Sequence, residues 1–200
     1  MNLWVILVFA LLAYLSGSIP FGYLLVKGKT GKNIMQSGSG NIGSTNVRRV
    51  AGKKISAFTQ LLDMAKGLIP VGAYLLLFNK GILNLQYDFV YAIALATILG
   101  HNYSIFLKFK GGKGVNTTLG ASVLFAPIPV FTSVAVYFIS KSILKYVSAS
   151  SLALAIALPV TALIISGIDM LFYYLLVCSI LILFQHRSNI IRLSHGKENL

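Results

Sequence analysis

Three polar clusters in this chain have the residue types and spacing to do chemistry. The first is Ser37-Gly38-Ser39-Gly40-Asn41-Ile42-Gly43-Ser44-Thr45-Asn46-Val47-Arg48-Arg49, glycine-rich and uncharged until it ends in two arginines. Glycines let successive backbone N–H groups turn toward one point and form a concave anion site, here at Gly40 and Gly43. Ser39, Asn41 and Asn46 add neutral donors, and the Arg49 guanidinium is a planar fork that matches phosphate oxygens. The second cluster is Gly100-His101-Asn102, then Phe109-Lys110-Gly111-Gly112-Lys113-Gly114, then Asn116-Thr117-Thr118. Gly111, Gly112 and Gly114 can offer N–H groups at the start of the next helix, where the helix dipole also favours an anion. Lys113 is the cation best placed to join them, whereas Lys108 and Lys110 read as membrane-orienting charges. The third cluster is His186-Arg187-Ser188-Asn189-Ile190-Ile191-Arg192, followed by Gly196-Lys197-Glu198. On a helix, Asn189 and Arg192 share a face.

Other chemistries fit these residues poorly. Gly38, Gly40 and Gly43 have the spacing of a dinucleotide fingerprint, but no strand precedes them, and Asp63 falls inside an apolar run. The second loop is not a Walker phosphate loop, because Gly114 stands where Ser or Thr is required. His101, His186 and His195 lack ligand spacing and nearby carboxylates, so no metal is expected. No cofactor is called for. A Ser-His-Asp hydrolase is disfavoured, since Glu198 is the one acid near the polar loops. Cys178 sits alone in an apolar run and reads as a buried thiol.

The elements that must position these clusters are membrane helices. The chain has 200 residues, 56% hydrophobic and 10% charged, with mean hydropathy +0.81. A water-soluble fold of this size cannot hide that much apolar surface. The 17 basic residues against 4 acidic ones give a formal charge of +13. The basic residues lie in short segments between apolar runs, the pattern of the positive-inside rule rather than of a nucleic-acid binder. The N-terminus has no positive leader segment and reads as a retained helix.

Apolar runs cover about Leu3–Val26, Ile55–Phe78, Phe89–Gly100 extending toward Leu107, Val115–Ile139, Val147–Ser166 and Ile168–Phe184. A straight crossing takes about 20 residues, so a plain count gives six helices. Six fails on orientation. With the basic segment Lys27–Lys54 inside, Asn79–Asp88 falls outside and Lys108–Lys113 inside. Lys141, Lys145 and the basic C-terminus return inside only if Val115–Ile139 enters and returns. Pro127 and Pro129 lie at its middle and would break a helix there. The sequence therefore predicts a single all-α integral membrane domain over 1–200. About seven transmembrane helices are expected, some short or broken, with the N-terminus outside and the C-terminus cytoplasmic. All three clusters then face one side of the bilayer. Asp63 and Lys66, three apart in the second run, can pair on one helix face. Charges at that depth are functional suspects.

With its clusters in this order, the chain resembles the bacterial integral-membrane acyl phosphate:glycerol-3-phosphate acyltransferases. The residues that carry the resemblance are Ser39-Gly40-Asn41-x-Gly43-x-x-Asn46-x-x-Arg49, Gly100-His101 with Phe109–Gly114, and His186-x-x-Asn189-Ile190 with Arg192-Leu193 and Gly196-x-Glu198. Gly17-Ser18-Ile19-Pro20 and Asp63-x-x-Lys66-Gly67 look like the family as well. Ile42 stands where proline is common, and Asn116 where alanine is common. The resemblance implies transfer of an acyl chain from acyl phosphate to the 1-hydroxyl of glycerol 3-phosphate, giving lysophosphatidate and inorganic phosphate, the first acylation of phospholipid synthesis. It implies a multi-pass protein of the bacterial cytoplasmic (inner) membrane with its motifs facing the cytoplasm. On this reading Ser39, Arg49, Lys113, His186 and Asn189 are the catalytic residues. Gly40, Asn41, Gly43, Asn46, His101, Gly111, Gly112, Gly114, Arg192 and Glu198 bind substrate or phosphate. The partners are acyl phosphate, glycerol 3-phosphate and membrane lipid, with no nucleic acid.

Overall fold

The computed structural model describes residues 3–82 and 86–198, and these form helices, short 3₁₀ turns and loops. Part of the turn expected outside the membrane, 83–85, lies outside the described residues. The chain divides into two compact units, Met1–Leu124 and Phe125–Leu200.

The first unit contains α1 (Leu3–Ser18), α2 (Phe21–Thr30), α3 (Ser44–Asn79), α4 (Phe89–Asn102) and α5 (Val115–Ser122). Its helices meet at glycines. A methyl group on Gly17 would overlap the Thr97 carbonyl of α4, and one on Gly100 would overlap the Tyr14 carbonyl of α1. Gly120 of α5 meets the Met64 carbonyl of α3 in the same way. Lipid tails are as apolar as a leucine side chain, so helices gain by bringing backbones close, and small residues permit that. The run Leu3–Val26 is interrupted at Ile19 and Pro20, because proline disfavours helical backbone in the residue before it. Helix α3 is also discontinuous: Gly52 has φ 87 and ψ 175, a backbone region that side-chain-bearing residues rarely adopt. It separates a short arm, 44–51, from the membrane segment that follows.

The second unit contains α6 (Pro127–Leu144), α7 (Val147–Ser166), α8 (Met170–Gln185) and α9 (Arg187–Ser194). Helix α7 packs against both α6 and α8. Asp169 caps α8 by accepting the Phe172 N–H at 2.8 Å. Pro127 and Pro129 do not interrupt a helix, as the sequence suggests, but start one. The chain breaks between Ser122 and Pro127, and proline's preset φ and missing N–H suit a first turn.

Among the described residues, five helical stretches are long and apolar enough to cross a membrane, and α8 with α9, bent by 60°, makes a sixth candidate. Helix α5, with 8 residues, falls well short of the roughly 20 needed for a crossing.

Candidate active site

The first cluster is a loop held from below by apolar residues and from within by one asparagine. Ile34, Ile42 and Val47 are buried against Val26 of α2, with Tyr23, Met35, Val50 and Leu107 packed around them. Burial of each such side chain is worth about 1.5–3 kcal/mol, which anchors a loop otherwise made of small polar residues. Asn46, 2% exposed, sits in the first turn of α3. Its Oδ1 accepts the Ser39 N–H at 2.9 Å. Its Nδ2 donates to the carbonyls of Ser37 at 2.9 Å, Asn41 at 2.8 Å and Ile34 at 3.4 Å. Expected from sequence as a donor to phosphate, Asn46 instead spends its whole amide on shaping the loop. Gly38 (φ 60) leaves room for it, since a methyl group there would overlap Asn46 Oδ1.

The loop's amides are not all turned to an anion either. The Gly40 N–H donates to the Ser37 carbonyl at 3.1 Å, and the Gly43 N–H donates to Asn41 Oδ1 at 2.8 Å. Among the described residues, the amides of Asn41 and Ile42 have no partner within the chain. Ser39 is exposed at the tip of the loop, and Arg48 and Arg49 are exposed on the arm that follows it.

The second cluster lies on the C-terminal end of α4. The Gly112 N–H donates to the His101 carbonyl at 3.0 Å. A methyl group on Gly111 would stand 2.6 Å from the Asn102 carbonyl, and one on Gly112 would overlap His101 Nε2. Only glycine lets the backbone lie this flat. His101 is 4% exposed and lies beneath the loop, not on its surface. Lys113 follows, half-buried, and Gly114 (φ 82) caps α5. Lys108 and Lys110 are exposed.

The two loops touch. Asn41 Nδ2 donates to the Gly111 carbonyl and Asn116 Nδ2 to Ser44 Oγ, each at 3.4 Å. Ser56 Oγ donates to the Ser44 carbonyl at 2.8 Å, tying the arm back to the body of α3. Ser39, Arg49 and Lys113 thus stand on a pair of braced loops within the first unit. Sequence reading passed over Asn102, whose amide N and O are both buried without a protein partner beneath Gly114, together with Ser18, Thr117 and Thr118 hydroxyls in the same state. Its signal in the sequence was an amide placed directly after the Gly-His pair.

The third cluster belongs to the second unit. His186 is the residue at which α8 gives way to α9. Its ring Nδ1 lies 2.8 Å from the Ile182 carbonyl. A carbonyl oxygen only accepts, so Nδ1 carries the proton of this bond. Gly196 (φ 65) reverses the chain after α9, with the Lys197 N–H donating to the Arg192 carbonyl at 2.8 Å and the Gly196 N–H to that of Leu193 at 3.1 Å. The reversal brings Glu198 back over the helix. Its Oε1 accepts Asn189 Nδ2 at 2.9 Å, and its Oε2 accepts Arg192 Nε at 2.8 Å. The carboxylate, 4% exposed, fixes which end of the Asn189 amide donates. Glu198 and Arg192 therefore brace Asn189. Glu198→Ala removes two charge-assisted bonds, each worth about 1.5–3 kcal/mol, and takes away the carboxylate that holds that amide. We expect turnover to fall roughly tenfold or more, read as kcat on the purified variant; unchanged kcat would show that Asn189 needs no brace.

The family model described as glycerol-3-phosphate acyltransferase matches residues 7–196. A glycerol-3-phosphate acyltransferase of Clostridium acetobutylicum is 42% identical over 196 residues, covering 97% of this chain and 98% of that protein. One from Geotalea daltonii is 42% identical over 188 residues, covering 94% and 93%. Among solved structures, the glycerol 3-phosphate form of PlsY (YgiH), an integral membrane glycerol 3-phosphate acyltransferase, superposes with a TM-score of 0.88. It is 34% identical and covers 98% of this chain and 94% of that one. Its lysophosphatidic acid form superposes with a TM-score of 0.83. The chain is an integral membrane acyltransferase and belongs to the glycerol-3-phosphate acyltransferase family.

Proposed function

We propose that the chain transfers a fatty acyl group from acyl phosphate to the 1-hydroxyl of glycerol 3-phosphate, at the cytoplasmic face of a bacterial inner membrane. One observation carries this reading: two glycine-rich loops, one leading into the arm that carries Arg49 and the other carrying Lys113, are hydrogen-bonded to each other. Both small-molecule ends of the reaction carry phosphate, and the acyl tail requires a membrane.

Arg49 and Lys113 hold phosphate oxygens and neutralise their charge. Ser39 donates a hydrogen bond to the donor's phosphate. Gly40, Gly43, Gly111, Gly112 and Gly114 let the backbone approach it. His186 and Asn189 orient glycerol 3-phosphate. The hydroxyl oxygen attacks the acyl carbon, and the bond from that carbon to the phosphate oxygen breaks. Inorganic phosphate leaves and takes the hydroxyl proton on one of its own oxygens. An acyl phosphate is already activated, so positioning and charge neutralisation supply the catalysis.

The PlsY forms named for glycerol 3-phosphate and lysophosphatidic acid support the acceptor and the product. The charge pattern supports an N-terminus outside and a C-terminus inside, with 115–139 entering and returning as two short crossings or a re-entrant hairpin, so that Lys141 and Lys145 face the cytoplasm. The whole of 1–200 then acts as one polytopic domain.

Protein purified in detergent is expected to release phosphate from acyl phosphate only when glycerol 3-phosphate is present. Initial-rate plots against both substrates should intersect, as for one ternary complex. Mass spectrometry should find no acyl group on Ser39 when the acceptor is omitted. An acyl-Ser39 species that chases into lysophosphatidate would replace direct transfer with a covalent route. Turnover with acyl-CoA but not acyl phosphate would overturn the donor.

A further inference from the structure

The chemistry assigned so far leaves Asp63 and Lys66 without a task. Both are buried in α3, 2% and 3% exposed. A buried ion pair is weak evidence for stability, because desolvation offsets much of the attraction. Charges at membrane depth are rare and mark function.

Their neighbours lead to the second loop. Lys66 Nζ lies 2.9 Å from Asp63 Oδ1 and donates to the Ile19 carbonyl at 2.9 Å. The Phe21 ring centroid is 5.7 Å from the ammonium. Asp63 Oδ1 lies 3.7 Å from His101 Nδ1. The opposite edge of that ring, Nε2, is where a methyl group on Gly112 would collide. The Gly112 N–H is bonded to the His101 carbonyl at 3.0 Å, and Lys113 comes next in the chain. The contacts run in order from the ion pair to the imidazole, to the glycine backbone, to the cation.

We propose that Asp63 and Lys66 are positioning residues of the acyl transfer. The ion pair faces His101 with a fixed carboxylate, and the ring sets the height of the Gly111–Gly114 backbone and with it the Lys113 ammonium. The proposal rests on Lys113 being a phosphate-holding residue. The backbone lies directly on the ring with no side chain between them, so a shift below is passed on above. A displacement of about 1 Å at a reacting centre can cost on the order of 10²-fold in rate.

A double-mutant cycle tests this. Asp63→Asn with Lys66→Gln removes both charges together and leaves no lone buried charge. In the otherwise native chain this pair change is expected to lower kcat about tenfold or more, with the thermal unfolding midpoint in detergent little changed. In a Lys113→Ala background it should cost less than about twofold, because the cation it positions is gone. His101→Gln leaves the ion pair intact and interrupts the chain of contacts one step later. It should show the same dependence on Lys113, and it keeps the test open if the pair variant does not fold. Losses that multiply with an impaired Lys113→Ala would overturn the positioning role alone. Full activity of the pair variant would do the same. Full activity of Lys113→Ala would overturn both the proposal and the reading beneath it.

Discussion

Arg49→Ala and Lys113→Ala are each expected to lower turnover at least ~10²-fold, the usual scale for removing one preorganised donor to developing charge. The two cations stand on different loops, but Asn41 and Asn116 lock those loops together. Each cation therefore meets the phosphate from a fixed direction, and the other cannot move over to replace it. Lys113→Arg should rescue only part of the loss. The flat glycine backbone over His101 gives a longer, planar head no room to settle. Lys108→Ala is the control. Lys108 is exposed and stands in a left-handed turn (φ 53), and the sequence reading gives it to orientation in the membrane. Its loss should cost a few-fold at most. Steady-state kcat and kcat/KM on the four purified variants make the comparison, and equal losses at Lys108 and Lys113 would sink the assignment.

Asn46→Ala is expected to be nearly as damaging as losing Arg49, although Asn46 touches no substrate in this reading. One side chain satisfies the Ser39 N–H and three loop carbonyls. Truncation leaves the Ser39 N–H and the Asn41 carbonyl without their partner, while the Ser37 and Ile34 carbonyls keep backbone donors, and each group so left buried costs about 1–3 kcal/mol. The loop would open to recover water, and Ser39 would lose its place. Asn46→Asp sharpens the test because its shape is unchanged. The carboxylate still accepts from Ser39, but its second oxygen then faces the carbonyls of Ser37, Asn41 and Ile34 with no proton to offer. Asp should therefore do no better than Ala. Circular dichroism should show the helices retained in both variants, because the damage is confined to 34–43. Near-native turnover of Asn46→Asp would show that the loop does not depend on those three bonds.

Much of the fold could be read from the chain because lipid imposes a simple rule: long apolar runs become helices. The positions of the breaks were less legible. Proline at 20 interrupts a run that reads as continuous to Val26. The chain stops at Ser122 and restarts at Pro127 rather than breaking at the prolines themselves, since a proline can begin a helix more easily than it can sit inside one. Gly52 gave no signal, because a glycine within a helical run breaks it only where surrounding contacts hold the unusual backbone. Local types and spacing located all three polar clusters. They could not divide labour within them. Asn46 and Asn41 are alike in sequence terms, yet one shapes its own loop while the other also reaches the Gly111 carbonyl. That difference comes from contacts far apart along the chain.

The break at Gly52 also bears on how the protein lives in lipids of different thickness. Beyond it, α3 runs to Asn79, longer than the roughly 20 residues a bilayer requires, so this segment has length to spare for a tilt. A rigid helix would swing Arg48 and Arg49 through the same angle. Here Gly52 bends the chain, but Ser56 on the rod donates to the Ser44 carbonyl across the bend, and Asn116 donates to Ser44 Oγ, so the arm is fastened to the rod. A change of bilayer thickness that altered the angle of the rod would therefore be passed through that bond to the arm that carries the arginines.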